Sequence, residues 1–350
     1  MNPTKNKFSD FQKPTLSEWT KEATNELKGG DPWTKLSHKM EGYTILPIYD
    51  KSNSQNFDSE LAGSKNNLVD AQTWYNCSHI YVENEELSNK EALFELENGA
   101  DGIFFVIDRE VTFEVLLNDI EWPFCSLSFM VKKDYPNIAQ SLNDFIAKKN
   151  WQNQSLSGAY FSNFHRGKFN HPSFKWSGVE WKEKTNPVEE IVNGIQAITS
   201  LQSSNQELAS FAISLNLSQD FFLSITKIRA IRIVWTRFLK IHNHPKIVPL
   251  FIHGYSQAWK NAEYGPQENM LKGTTVALSA ILGGCDAMTI YSEDDSSLAK
   301  RMSRNISNIL RFESHCNKVS DPVAGSFFIE NLTQQLANEA WKIIEPKLPL

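Results

Sequence analysis

Cysteine is scarce in this chain of 350 residues, with 4 in all, and glycine is modest at 16. The cysteines (Cys77, Cys125, Cys285 and Cys316) lie far apart with no C-x-x-C pair. Buried or incidental thiols are therefore expected, not a disulfide framework. The glycines fall into neither G-x-x-x-x-G-K-[ST] nor G-x-G-x-x-G, and H-E-x-x-H and G-x-S-x-G are missing too. Their absence argues against a nucleotide enzyme and removes the usual hydrolase signatures. No stretch approaches the roughly 18 consecutive apolar residues of a membrane helix. The opening MNPTKNKFSDFQKP has no apolar run of the signal-peptide kind. No membrane partner is expected, and the cytoplasm is the expected compartment. Charge of one sign is lacking as well: 35 Lys and Arg against 41 Asp and Glu give a net charge of -6. That balance predicts no nucleic-acid partner.

What is present suits a large folded core, with 41% hydrophobic, 22% charged and 12% aromatic residues. At about 150 residues per domain the length suits two domains, or one α/β barrel with an extension. Residues 1–50 look like an arm. Thr15 and Glu18 have capping-box spacing, Leu16, Trp19, Ala23 and Leu27 recur at helical spacing, and Gly29-Gly30 ends the helix. Leu46-Pro47-Ile48-Tyr49 is extended, with a proline that a central strand would not tolerate. The polar, aperiodic stretch 51–75 reads as a linker, so 51–84 is taken as the lead-in to a barrel over 85–345.

A repeating rhythm starts near residue 85. Strands are expected within 100–107 and at 126–131, 156–161, 174–181, 210–216, 247–253, 287–291 and 327–329. Helices are expected at 89–96, 112–120, 138–149, 187–202, 219–241, 266–282, 298–313 and 332–344. The strand at 174–181 has no clear helix before it. Continuous apolar runs such as IFFVI and SLSFMV suit parallel strands buried on both faces. Eight such strands close a (β/α)8 TIM barrel. An open doubly wound sheet is the competing arrangement.

Candidate chemistry is thin. His242-Asn243-His244 would need a further ligand to hold a metal, so a solvated loop and no metal site are expected. Glu293-Asp294-Asp295 sits where barrel active sites lie, but it also heads a helix, where negative charge is favoured. Lys227, Arg229, Arg232, Arg237 and Lys240 make the longest helix basic, which predicts a solvated face or a subunit contact. His253, at the end of the expected sixth strand, and Tyr255 could pair for acid–base work at the barrel mouth. A structural role for His253 is the competing reading.

The chain resembles the methylmalonyl-CoA mutase family. The resemblance runs from Leu16–Trp19 through Glu41-Gly42-Tyr43 and Leu46–Tyr49 to the more specific last third. There it rests on Asn269-Met270-Leu271, Thr274-Thr275, Leu282-Gly283-Gly284, Arg304-Asn305, Glu313-Ser314-His315, Lys318-Val319, Asp321-Pro322 and Gly325-Ser326. GADGIFF and FEVLL within 89–117 look more like the family's small subunit. The resemblance implies a TIM barrel threaded by coenzyme A, fused to or paired with a B12-binding domain. Active members interconvert methylmalonyl-CoA and succinyl-CoA by radical chemistry that adenosylcobalamin supplies.

The departures point away from catalysis. Active members carry Ser-Gly-Tyr-His at the end of a barrel strand; here Ser177-Gly178 is followed by Val179 and Glu180. A glutamate cannot replace an imidazole donor without first taking up a proton. The family's tyrosine-bearing segment is replaced by the polar stretch 51–75. Arg166, near the place of the substrate-holding arginine, has flanks that do not match. D-x-H-x-x-G is absent, and no B12-binding domain is expected in this chain. The resemblance thus implies a non-catalytic small subunit that stabilises a large catalytic one, in which adenosylcobalamin belongs to the complex and acyl-CoA is the small-molecule ligand. No catalytic or cofactor-binding residue is expected in this chain. The alternative is a diverged acyl-CoA mutase barrel working with a separate B12-binding subunit.

Overall fold

The computed structural model describes residues 14–52, 73–164, 171–181, 184, 186–202, 210–242, 248–257 and 265–347. Its barrel strands are runs in which inward and outward positions are both covered: β4 and β5 below are buried at every residue. That pattern needs helices outside and a packed bore inside.

The arm comes first. Helix α1 (Leu16–Glu26) starts at the expected capping box, with Thr15 and Glu18 bonding reciprocally, and α2 is a single turn (Pro32–Lys35). Helix α1 buries none of its residues; Trp19 meets Trp33 edge-on at 5.5 Å. The hairpin β1 (His38–Met40) and β2 (Tyr43–Ile45) returns the chain to the barrel wall. Tyr43 is buried, and the backbone of Thr44 exchanges two hydrogen bonds with the Gln335 amide, at 2.9 and 3.1 Å.

Eight parallel strands then close on themselves: β3 (Tyr75–Tyr81), β4 (Gly102–Ile107), β5 (Ser126–Val131), β6 (Ala159–Ser162), β7 (Lys175–Trp181), β8 (Phe211–Asn216), β9 (Phe251–Tyr255) and β10 (Ala287–Thr289). Strand β10 pairs with both β9 and β3, which closes the ring. The expected TIM barrel is therefore the fold, and the open sheet is not. Helices α3 (Glu85–Glu97), α4 (Phe113–Leu116), α5 (Ile138–Lys148), α6 (Pro187–Gln202), α7 (Phe221–Ile241), α8 (Pro266–Gly283) and α9 (Ser297–Phe312) intervene between strands or follow the last. A final helix, α10 (Phe327–Ile344), packs over α6 and α7 as an extra outer layer. Gly284 closes α8 at φ 91°, a left-handed position that a side chain would strain. Among the described residues no helix joins β6 to β7.

Three expectations change. The count of eight strands holds, but its first member is β3, which the reading of 51–84 as lead-in overlooked, so the barrel begins at Tyr75. Residues 327–329 instead open α10, with Ser326 as N-cap accepting from the Ile329 amide. Strand β9 runs to Tyr255, so His253 lies inside the strand and not at its end.

Candidate functional site

The C-terminal mouth of the bore, where barrel enzymes build their sites, is lined among the described residues by side chains on or just past seven strands, β3 to β7, β9 and β10. Alternation along each strand decides which face in. On β7, Val179 lies in the outer cluster with Trp181, Ile191 and Val192. Its neighbour Glu180 turns into the mouth. There Glu180 Oε1 meets Lys132 Nζ at 2.9 Å and accepts a hydrogen bond from the Tyr255 hydroxyl at 3.4 Å. Val179 and Glu180 thus serve opposite faces of the sheet.

Below this ion pair the bore is aromatic. Phe104 on β4 is fully buried; its ring centroid lies 4.5 Å from His253, 6.2 Å from Phe161 and 6.2 Å from Tyr255. His79 packs on Tyr291 at 4.1 Å, and Tyr291 lies edge-on to Tyr255 at 5.8 Å. Burial sets the protonation states here. It pushes the His253 imidazole down to about 3. Burial, helped by the positive charges of Lys300 and Lys132, takes His79 down to about 4 against the opposing pull of Asp295. Both rings are neutral at physiological pH. Burial and the nearby Glu180 carboxylate drive the Tyr291 phenol upward.

His253 shares a hydrogen bond of 2.9 Å with the Thr289 hydroxyl, while Tyr255 turns to Glu180. The two were weighed as an acid–base pair, but they face different partners. What the mouth assembles is one ion pair above a stack of neutral rings, an arrangement that fills space and fixes geometry. His79, Lys132 and Tyr291 escaped the sequence reading. Their signal was positional: each sits on or just after a strand, in register with inward neighbours. His79 lies on the strand that the sequence had hidden in a linker.

The other candidates disperse. His242 caps α7, its Nδ1 3.0 Å from the Phe238 carbonyl oxygen, while Asn243, His244 and Arg166 lie outside the described residues. No cluster of metal-ligating side chains occurs among the described residues. Asp294 accepts from the Ser296 amide at 2.8 Å and leads into the cap of α9, as a helix-heading run should. The basic helix face is corrected. Lys227, Arg229 and Arg232 are buried, and they pair with Glu190 on α6 at 3.0 Å, Asp321 ahead of α10 at 2.5 Å and Asp286 ahead of β10 at 2.9 Å. Only Lys240 stays exposed on that helix's last turn, and Arg237 donates to Asn338 at 3.0 Å. At the opposite end of the barrel a cavity of about 650 Å³ is lined by Trp74, Leu93, Ile120, Phe124 and Arg311 among others. The Arg311 guanidinium there pairs with Asp101 at 2.7 Å.

Residues 193–346 match the family described as methylmalonyl-CoA mutase. Over 96% of the chain the sequence is 23% identical to the methylmalonyl-CoA mutase small subunit of Porphyromonas gingivalis, covering 63% of that protein. It is 37% identical to the methylmalonyl-CoA mutase small subunit of Streptomyces virginiae over 35% of the chain and 21% of that protein. With the methylmalonyl-CoA mutase of Rhizobium meliloti it shares 34% identity over 39% of the chain and 19% of that protein. The chain spans less than two thirds of the length of these curated relatives. No helix among the described residues is long and apolar enough to cross a membrane. By these matches the chain is similar to the methylmalonyl-CoA mutase family over residues 193–346, and to a protein described as that enzyme's small subunit over 96% of its length.

Proposed function

We propose that this chain is a non-catalytic barrel that pairs with a larger methylmalonyl-CoA mutase subunit and stabilises it. The single observation that carries the reading is the filled mouth. An acyl-CoA threaded along the axis would have to displace Phe104, Tyr255 and Tyr291 and separate Glu180 from Lys132. Glu180 and Val179 stand where the active family has its imidazole and phenol, and neither supplies a neutral donor at the centre of the mouth.

The described residues of this mouth do not fit a cobalamin, since neither of its imidazoles is free to hold one. His253 is sealed in the bore against Thr289, and His79 is packed on Tyr291. In this reading adenosylcobalamin belongs to the complex, and no step is assigned to it on this chain. The pairing surface is the arm. Helix α1 folds with a complete cap and leaves Leu16, Trp19 and Ala23 only partly buried, so its apolar side has packing left to make.

The test is co-expression with a large mutase subunit that carries the Tyr-His pair. The full chain should co-purify with it and raise its thermal midpoint, and alone it should form no succinyl-CoA from methylmalonyl-CoA. Removing residues 1–36 deletes α1 and α2 but spares the hairpin that docks on Gln335. That variant should keep the barrel's circular dichroism and pair more weakly. Turnover by this chain with only a separate B12-binding subunit would instead support the diverged-enzyme reading.

A further inference from the structure

Helix α9 has two faces of unlike character. Arg304, Ile306, Ser307 and Leu310 are buried against the barrel. On the outer side Leu298, Met302, Ile309 and Phe312 are 55%, 38%, 47% and 66% exposed, and Asn305 between them is exposed too. These five positions step by four, three, four and three residues, the spacing of a helix-packing seam. The seam also reads the same in both directions: two apolar residues, a central asparagine, two apolar residues. In an antiparallel pair related by a two-fold axis at Asn305, Leu298 of one copy faces Phe312 of the other, and Met302 faces the stretch at Ile309.

Charge supports the same arrangement. The acidic run 293–295 lies just before the helix, with Asp295 fully exposed, and the exposed Glu313, His315 and Lys318 lie just after it. Antiparallel pairing brings Lys318 of one copy towards the acidic run of its mate, whereas parallel pairing would set the two acidic runs side by side. We propose that this outer face of α9 is an isologous docking surface for a second copy of this chain. The surface is distinct from the arm and independent of the pairing proposed above. A helix of 16 residues is about 24 Å long, which gives a contact smaller than the about 800 Å² per partner of a standard interface. The exposed Leu271 on the adjacent α8 widens it. A weak, concentration-dependent dimer is the expected product.

Sedimentation of the full chain over a concentration series tests this. Ile309→Glu and Met302→Glu, both at exposed positions, should each weaken self-association about tenfold or more without changing the circular dichroism. Lys318→Glu should weaken it less, and adding Asp295→Lys should restore it. Deleting residues 1–36 should leave it unchanged. Geometry has its own readout. Facing helices 8–10 Å apart bring residues on the axis within disulfide reach. In a Cys316→Ser background Asn305→Cys should oxidise to a covalent dimer, while Leu298→Cys should not. A chain that stays monomeric, a dimer indifferent to Ile309→Glu, or self-crosslinking through Leu298→Cys would overturn the proposal.

Discussion

Val179 and Glu180 are adjacent in sequence and belong to different environments. Val179 is buried among the side chains that join β7 to its helix layer, and Gly194 on α6 approaches Trp181 beside it so closely that an added Cβ would lie 1.9 Å from the ring. Val179→Tyr would have to expand a filled layer, which costs about 1–3 kcal/mol in a well-packed core. The thermal midpoint of that variant should fall. Glu180→His points into the mouth and should fold, and the pair together should still yield no isomerase activity. The buried histidines give a separate handle. Burial holds His253 and His79 below the value near 6.5 of an unfolded histidine. The unfolded chain therefore takes up protons first as pH falls. The stability that their neutral forms contribute is complete above pH 6.5 and drains away from there towards pH 4. Each histidine should cost about 1.4 kcal/mol per pH unit across that window. Urea unfolding at pH 7.0, 6.0 and 5.0 should show the decline, and His253→Gln should make it shallower.

At the scale of elements, α7 is the pivot: Lys227 is held by Glu190 of α6, Arg229 by Asp321 ahead of α10, and Arg232 by Asp286 and the carbonyls of Leu250 and Gly284. A buried pair is costly to break by halves and cheap to replace whole. Lys227→Ala strands Glu190 and should destabilise by about 3–5 kcal/mol, whereas Lys227→Met with Glu190→Leu should stay near the parent. Urea denaturation of the two single variants and the double variant measures the difference. From sequence α7 reads as basic, with that face meeting water or a subunit. The acidic partners Glu190, Asp286 and Asp321 come from three other parts of the chain, and such pairing is a tertiary fact that helical periodicity does not encode. Strand β3 was missed for a local reason. Tyr75-Asn76-Cys77-Ser78-His79 carries polar side chains that bond outward to neighbours, such as Asn76 to the Arg304 carbonyl and Ser78 to Glu95, so it lacks an apolar run like those of β4 and β5. Residues 327–329 have such a run and are helical, since the Ser326 cap settles a stretch that periodicity alone leaves ambiguous. The strands at 102–107, 126–131 and 211–216 were legible for the converse reason: burial on both faces leaves an unbroken apolar stretch or nearly one.

For the whole molecule, a closed barrel with rings and an ion pair across its mouth, an arm helix with no buried residue, and a half-exposed apolar seam are the features on which the two proposed pairings rest. Of its candidate site, the sequence singled out Val179, Glu180, His253 and Tyr255 one by one. It could not reveal their surroundings, since the stack of Phe104, His253, Tyr255 and Tyr291 draws on three strands, β4, β9 and β10, with β4 far from the other two in the chain. The most direct test of the account is the number of acyl-CoA molecules bound at saturation by the complex of this chain with a large mutase subunit, measured by titration calorimetry with methylmalonyl-CoA. One molecule per two barrels is the expected result, because only the larger subunit would have an open axis. Two per two barrels would mean that this bore admits the thioester after all, and would contradict the account.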